Sequence, residues 1–219
     1  MTPVPRLEDD AITLPVVLQV TGLCFAYPQR ALFTDWSASI TPGLTLVRGG
    51  DGSGKSTLLR LLAGELPAQA GQLQLNNASM QQQPRAYRQQ LFWVDPRSQA
   101  FDQITPVNYF RSLHGSYPGF DAPLLGELSQ ALALTPHLDK PMYMLSTGSK
   151  RKVWLAAAFA SGAALTLLDE PFAALDKASI GLVLELLQGA AQHPTRAWVL
   201  AHYEAPGDVP LAQIIDLPD

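Results

Sequence analysis

Nine consecutive residues, Gly49-Gly50-Asp51-Gly52-Ser53-Gly54-Lys55-Ser56-Thr57, constrain this 219-residue chain more than any other stretch. They follow an apolar segment, Leu44 to Val47, that reads as a strand, and they lead into Ser56 to Ala63, which reads as a helix. A glycine-rich loop in that setting curls so that successive N–H groups point inward at phosphate oxygens, and the helix presents its positive dipole end to the same place. Both the residue pattern and its strand–helix context match a phosphate-binding P-loop. Lys55 would place a point charge at the β- and γ-phosphates of a nucleotide, and the Ser56 hydroxyl would ligate Mg²⁺.

The rest of the chain fits such a loop into an alternating fold. Strands are expected at Val16 to Tyr27, Trp36 to Ile40, Gln72 to Leu75, Leu91 to Val94, Ala164 to Leu168, Ala197 to Ala201 and Gln213 to Leu217. Helices are expected at Ser179 to Ala191 and through Pro106 to Leu145, where prolines punctuate the pattern. Gln81-Gln82-Gln83 reads as a polar loop. Alternation of this kind implies a mostly parallel sheet flanked by helices, an α/β class. The apolar stretch Val153 to Leu168 is too short for a membrane span, and Gly162 interrupts it; it reads as a buried helix followed by a buried strand.

Composition narrows the partners. Hydrophobic residues make up 47% of the chain, ample for a packed core, and charged residues only 16%, thin cover for a free monomer. A formal charge of −4 argues against wholesale binding to nucleic acid, so any anion site must be local. The single cysteine, Cys24, can form no internal disulfide, and the N-terminus has no secretory pattern, which together point to a cytoplasmic location.

A second chemical signal is Asp169-Glu170-Pro171 at the end of the apolar strand from Ala164. A strand ending in two carboxylates delivers them to the carboxyl edge of a parallel sheet, where the glycine-rich loop also lies. There Asp169 would help hold Mg²⁺, and Glu170 would accept a proton from an attacking water.

With both motifs in hand, the chain resembles the ATP-binding cassette (ABC) ATPases from about Val16 to its C-terminus. Leu145-Ser146-Thr147-Gly148-Ser149-Lys150-Arg151-Lys152 is similar to that family's signature loop, with Thr147 and Ser149 departing from it. Ser146 and Gly148 hold the positions that, by resemblance, contact the γ-phosphate bound by an opposite subunit; Ser146 is equally an ordinary helix N-cap. Ala174-Leu175-Asp176 resembles the D-loop, His202 the switch histidine, and Tyr27 the aromatic that stacks on adenine, although core packing competes for that ring and Phe25 is an alternative. The family's Q-loop glutamine should fall near Pro96, which has no side-chain polar group; Gln99 and Asp95 are the substitutes to hand. Asp51 stands where the family commonly has a neutral residue.

The resemblance implies a P-loop NTPase core, a mostly parallel sheet flanked by helices, with an antiparallel β segment and an inserted helical subdomain. The boundaries expected are a tail at 1–15 and one domain at 16–219, with core at about 16–95 and 153–219 and helical subdomain at about 96–152. It implies ATP and Mg²⁺ as ligands, with Glu170, His202 and Lys55 catalytic and Ser56 and Asp169 holding the metal. It further implies an ATPase that powers a separate membrane permease by closing on a second cassette, identical or not, at the cytoplasmic face of a bacterial inner membrane. The Tyr117 to Asp121 segment and the Lys150-Arg151-Lys152 run are most similar to small ATPases of bacterial export systems. The short stretch after His202 is similar to that of the haem-export ATPases of cytochrome c maturation. Two alternatives stand beside this reading: a soluble or regulatory ABC protein, and a cassette that binds ATP but hydrolyses it weakly.

Overall fold

A computed structural model describes residues 15–218, so the expected tail lies outside the described residues apart from Pro15. In chain order the strands are β1 (Leu18–Tyr27), β2 (Arg30–Ile40), β3 (Gly43–Arg48), β4 (Ala70–Leu75), β5 (Ala78–Ser79), β6 (Leu91–Phe92), β7 (Leu165–Asp169), β8 (Ala197–Ala201) and β9 (Gln213–Asp216). The helices are α1 (Lys55–Leu62), α2 (Pro84–Arg88), α3 (Pro106–His114), α4 (Ala122–Ala131), α5 (Thr147–Ala160) and α6 (Lys177–Ala191). Short 3₁₀ turns at Thr135–His137 and Met142–Met144 lead from α4 to α5.

The strands form two sheets. One is antiparallel, in the order β2-β1-β4-β5; the other is parallel throughout, in the order β6-β7-β8-β3-β9. Side chains alternate across a strand, so a sheet covered on both faces needs apolar residues at every position. Strands β7 and β8 and β3 up to Val47 are buried throughout and apolar except at Thr45, Thr166 and Asp169, whereas the edge strand β9 is half exposed. Leu44, Leu46, Leu168, Trp198 and Leu200 face a core shared with α3, α4 and α5, whereas Val47, Leu165, Leu167, Ala197, Val199 and Ala201 face one shared with α1 and the antiparallel sheet. The long segment Val153 to Leu168 divides as its composition suggests. Helix α5 ends at Ala160, Gly162 takes a left-handed φ of 68°, and β7 begins at Leu165.

The parallel register aligns the strand ends that carry the two chemical motifs. Asp169 of β7 pairs with Ala201 of β8, and Ala201 pairs with Val47 of β3, so the three strands finish level at one edge. Backbone bonds extend the row: Glu170 N–H donates to the Ala201 carbonyl at 3.0 Å, and His202 N–H to that of Val47 at 3.1 Å.

Some sequence expectations need correction. Strand β2 starts at Arg30 rather than Trp36, because the hairpin at Pro28-Gln29 lets it pair along β1 down to Tyr27. Strand β6 stops at Phe92 rather than Val94, since it pairs with β7 only at Leu91 and Phe92 before Asp95-Pro96 turns the chain. The glutamine run is a polar turn, as read, but a short unexpected helix, α2, follows it, started by Pro84 in its first turn and anchored by Tyr87, which is wholly buried and donates its hydroxyl to the Leu62 carbonyl at 2.7 Å.

Candidate functional site

The glycine-rich loop leaves β3 at Arg48 and enters α1 at Lys55 through Gly54, whose φ of 102° is open to glycine and strained for other residues. Lys55 is buried. Its ammonium donates to the carbonyls of Gly49 and Gly50, at 2.7 and 2.9 Å, which folds the charge over the loop rather than out to solvent. Ser53 is buried beneath the same loop. A cleft of about 600 Å³ opens above it, lined by Asp51, Gly52, Gly54, Lys55, Ser56 and Thr57, by Tyr27, Arg30 and Leu32 of the β1–β2 hairpin, and by Arg97, Glu170, Ala173 and Tyr203.

The strand edge supplies the other half. Asp169 is nearly buried, and burial pushes its carboxyl pKa up; the Ser56 hydroxyl and the charges of Arg97 and Arg151 oppose that rise, while Asp95 adds to it. Its Oδ1 is buried with no hydrogen-bond partner among the described residues. Glu170, in a left-handed conformation (φ 45°), sets its carboxylate 3.6 Å from Nε2 of His202. The His202 ring is buried between Phe172, edge-on at 5.4 Å, and Tyr203, stacked at 4.4 Å, and its Nδ1 lies 3.1 Å from the Glu204 carbonyl. Contacts on that nitrogen leave Nε2 as the one directed at Glu170.

These residues fit a divalent cation. A desolvated carboxylate oxygen lacking a partner beside a serine hydroxyl is a pair of hard oxygen donors, the kind Mg²⁺ takes together with water and phosphate. Among the described residues there is no cluster of three or more His, Cys, Asp or Glu side chains that could hold a metal alone. A cation at this place would therefore draw ligands from a bound phosphate, and the P-loop backbone is built to hold one.

The remaining expected site residues divide between the cleft and a second place. Tyr27 is half exposed at the cleft, its hydroxyl 3.3 Å from Thr57 Oγ1, while Phe25 is buried in the core and packs edge-on against it; the hairpin thus presents Tyr27 and withholds Phe25. Ser146, Gly148 and Asp176 do not line the cleft. They form a second constellation. Ser146 caps α5 by accepting from Ser149 N–H at 3.1 Å; Asp176 caps α6 by accepting from Ser179 N–H at 2.9 Å and also pairs with Lys152 at 2.6 Å. Gly148 lies so close to the Ala174 carbonyl that a Cβ would collide with its oxygen.

At the expected glutamine position, Pro96 and Gln99 face a cavity beside α5. Within this loop, Asp95 and Arg97 are the residues whose charges reach Asp169. Two charged cleft residues were not singled out from the sequence: Arg97, and Arg30, which donates to the Gly52 carbonyl at 3.0 Å. Arginines in turns carry no pattern of their own; Arg30 falls three residues after Tyr27 in a tight hairpin, and that spacing was the available signal.

Comparison with known proteins agrees with this geometry. The family model described as ABC transporter matches residues 33–173. The cytochrome c biogenesis ATP-binding export protein CcmA of Pseudomonas savastanoi pv. phaseolicola is 36% identical over 81% of this chain and 84% of its own. The manganese transport system ATP-binding protein MntB of Listeria innocua is 32% identical over 78% of this chain and 74% of its own. Among solved structures, an ATP-binding subunit of an ABC transporter superposes with a TM-score of 0.76 at 23% identity, covering 85% of this chain and 79% of that one, which shows the shared fold. On the family match and these relatives, the chain belongs to the ABC transporter family, as one of its ATP-binding domains.

Proposed function

We propose that this chain binds and hydrolyses ATP as the nucleotide-binding subunit of an ABC transporter, driving a separate permease. One observation carries the reading. The level ends of β3, β7 and β8 bring the P-loop, the Asp169-Glu170 pair and His202 to one edge of the sheet, over a cleft wide enough for a nucleotide. The loop's backbone N–H groups and Lys55 would hold the phosphates, with Tyr27 against the base. Ser56 and Asp169 would hold Mg²⁺, which when bound neutralises phosphate charge. Glu170 would take the proton of the attacking water, and His202 would orient the terminal phosphate.

Ser146, Gly148 and Asp176 sit outside the cleft, which supports a second cassette completing the site from the opposite side. The exposed Tyr143 and Met144 before Ser146, and Tyr203 after His202, are apolar surface suited to that contact. A helical part at about 96–152 between core segments 16–95 and 153–219 would be the surface offered to the permease. No helix among the described residues is long and apolar enough to cross a membrane. A peripheral place on the cytoplasmic face of a bacterial inner membrane follows from pairing with a permease. The identity to cytochrome c biogenesis export proteins supports an export system.

The test is ATP turnover by the purified protein, alone and with the permease that co-purifies from membranes. Glu170→Gln should lower turnover by about 10²–10⁴-fold, the range a general base contributes, while ATP still binds. No turnover under either condition would leave a cassette that binds ATP without hydrolysing it, and would sink the enzymatic reading.

A further inference from the structure

The loop between β6 and α3 does more than replace an expected glutamine with proline. Strand β6 lies beside β7 and runs parallel to it, so the chain leaving Phe92 must pass the end of β7, where Asp169 sits. A tight turn then sets the direction of the side chains. Asp95 Oδ1 accepts from Arg97 N–H at 2.9 Å, the Asp95 carbonyl accepts from Ser98 N–H at 2.9 Å, and Asp95 Oδ2 is within ion-pair reach of Arg60 on α1, at 3.9 Å. Pro96 lines a separate cavity with Trp154 and Asp169 rather than the P-loop cleft, which Arg97 borders with Lys55, Ser56 and Glu170.

Glu170 lines this end of the cleft, and Asp169, beside the Ser56 hydroxyl, and Asp95, whose charge reaches Asp169, lie close by, so a phosphate arriving there would meet their repulsion. Lys55 answers from the P-loop side, and Arg30 is bonded to Gly52 on the hairpin side. On the carboxylate side Arg151 is engaged by the Asp169 and Glu170 carbonyls, whereas Arg97 lines the cleft itself, and a guanidinium is the side chain best shaped to take phosphate oxygens two at a time.

We propose that Arg97 contacts the terminal phosphate of the nucleotide from within the same chain, so that this loop reads triphosphate against diphosphate through a charge rather than through a neutral amide. The inference rests on the nucleotide-binding reading above. It also gives the loop a link to α5, because Arg97 borders the cavity lined by Lys150, Arg151 and Trp154 of that helix.

The experiment compares equilibrium affinities for a non-hydrolysable ATP analogue and for ADP, with Mg²⁺ and with chelator, in the unaltered chain, Arg97→Ala, Arg97→Lys and Lys55→Ala. The expected result is a loss of about tenfold or more for the triphosphate in Arg97→Ala, the scale of one charged hydrogen bond, with little change for ADP and partial retention in Arg97→Lys. Lys55→Ala should weaken both nucleotides. Equal weakening of both by Arg97→Ala, or no change in either, would overturn the proposal and assign Arg97 to neutralising Asp169 alone. If Arg97→Ala does not fold, Arg97→Gln against Arg97→Lys makes the same comparison between chains of similar reach. Failure of the unaltered chain to bind either nucleotide would instead sink the function proposed for the cleft.

Discussion

Asp169 shows how a single residue can be costly to the fold and still belong in it. Burial disfavours its charged form, so its folded pKa lies above that of an unfolded aspartate. A carboxyl raised in this way contributes most to stability at pH below its unfolded value, and that contribution is lost as pH rises through the folded pKa. Without a bound cation, Asp169→Asn should therefore raise the melting temperature at pH 7 by a few degrees, 1 kcal/mol being about 2–4 °C for a domain of this size. The gain should shrink toward pH 4, and ATP turnover should be lost; calorimetry across pH, with and without Mg²⁺, checks this. Gly148 is constrained by space rather than charge. Gly148→Ala must push α5 or the Ala174 loop aside, because a Cβ there would overlap a backbone oxygen, and overpacking of this kind costs about 1–3 kcal/mol. Thermal melting should register that loss, and ATP binding by the isolated chain should be little changed, since Gly148 does not line the cleft. In these two residues the sequence pattern showed the type required; the unpartnered oxygen at one and the missing space at the other are properties of neighbours far along the chain.

At the scale of elements, α5 gives its basic run a structural use. Lys150, Arg151 and Lys152 lie in its first turns, where positive charge opposes the helix dipole. Each is tied to a different element: Lys150 to Asp102 before α3 at 2.5 Å, Arg151 to the carbonyls of Asp169 and Glu170 at 2.9 and 2.6 Å, and Lys152 to Asp176 at the start of α6. Burial lowers the Arg151 pKa, and the neighbouring Asp169 and Glu170 charges oppose the shift. The run thus joins the signature helix to both carboxylate segments. Beneath it Trp154 packs edge-on against Tyr109 at 5.0 Å and tilted against Phe101 at 5.7 Å, which locks α5 to α3. Trp154→Ala should cost about 3–5 kcal/mol, as large core truncations do, and denaturant unfolding should show it. Strand and helix types were readable wherever an apolar run ended in a strong breaker, as at Gly162 or Asp95-Pro96. Helix α2 was not readable, because its five residues are too few to show a helical period and its stability comes from Tyr87 reaching Leu62.

For the whole molecule, one consequence of the proposed function is an ATP-dependent association. Glu170→Gln with ATP should elute at about twice the monomer mass in size-exclusion chromatography with light scattering, because nucleotide bridges two chains and slow hydrolysis keeps them closed. Lys55→Ala with ATP should remain monomeric, and a monomeric Glu170→Gln chain saturated with ATP would overturn the closure model. Under the proposed function, such a face and a second for the permease would account for a chain in which only 16% of residues are charged. The glycine-rich loop and the carboxylate pair follow from the sequence alone, since each is a local pattern set by backbone geometry and hydrophobic periodicity over a few residues, and the signature and the family follow from the resemblance of those motifs to known ones. Tertiary structure decided what spacing along the chain does not encode. The parallel register levels Val47, Asp169 and Ala201 and so sets Glu170 against His202, the hairpin selects Tyr27 over Phe25, and the turn after β6 puts Pro96 at a separate cavity and brings Arg97 to the cleft. Those outcomes depend on strand pairing and on turns packed against distant neighbours, where side-chain direction follows from the fold.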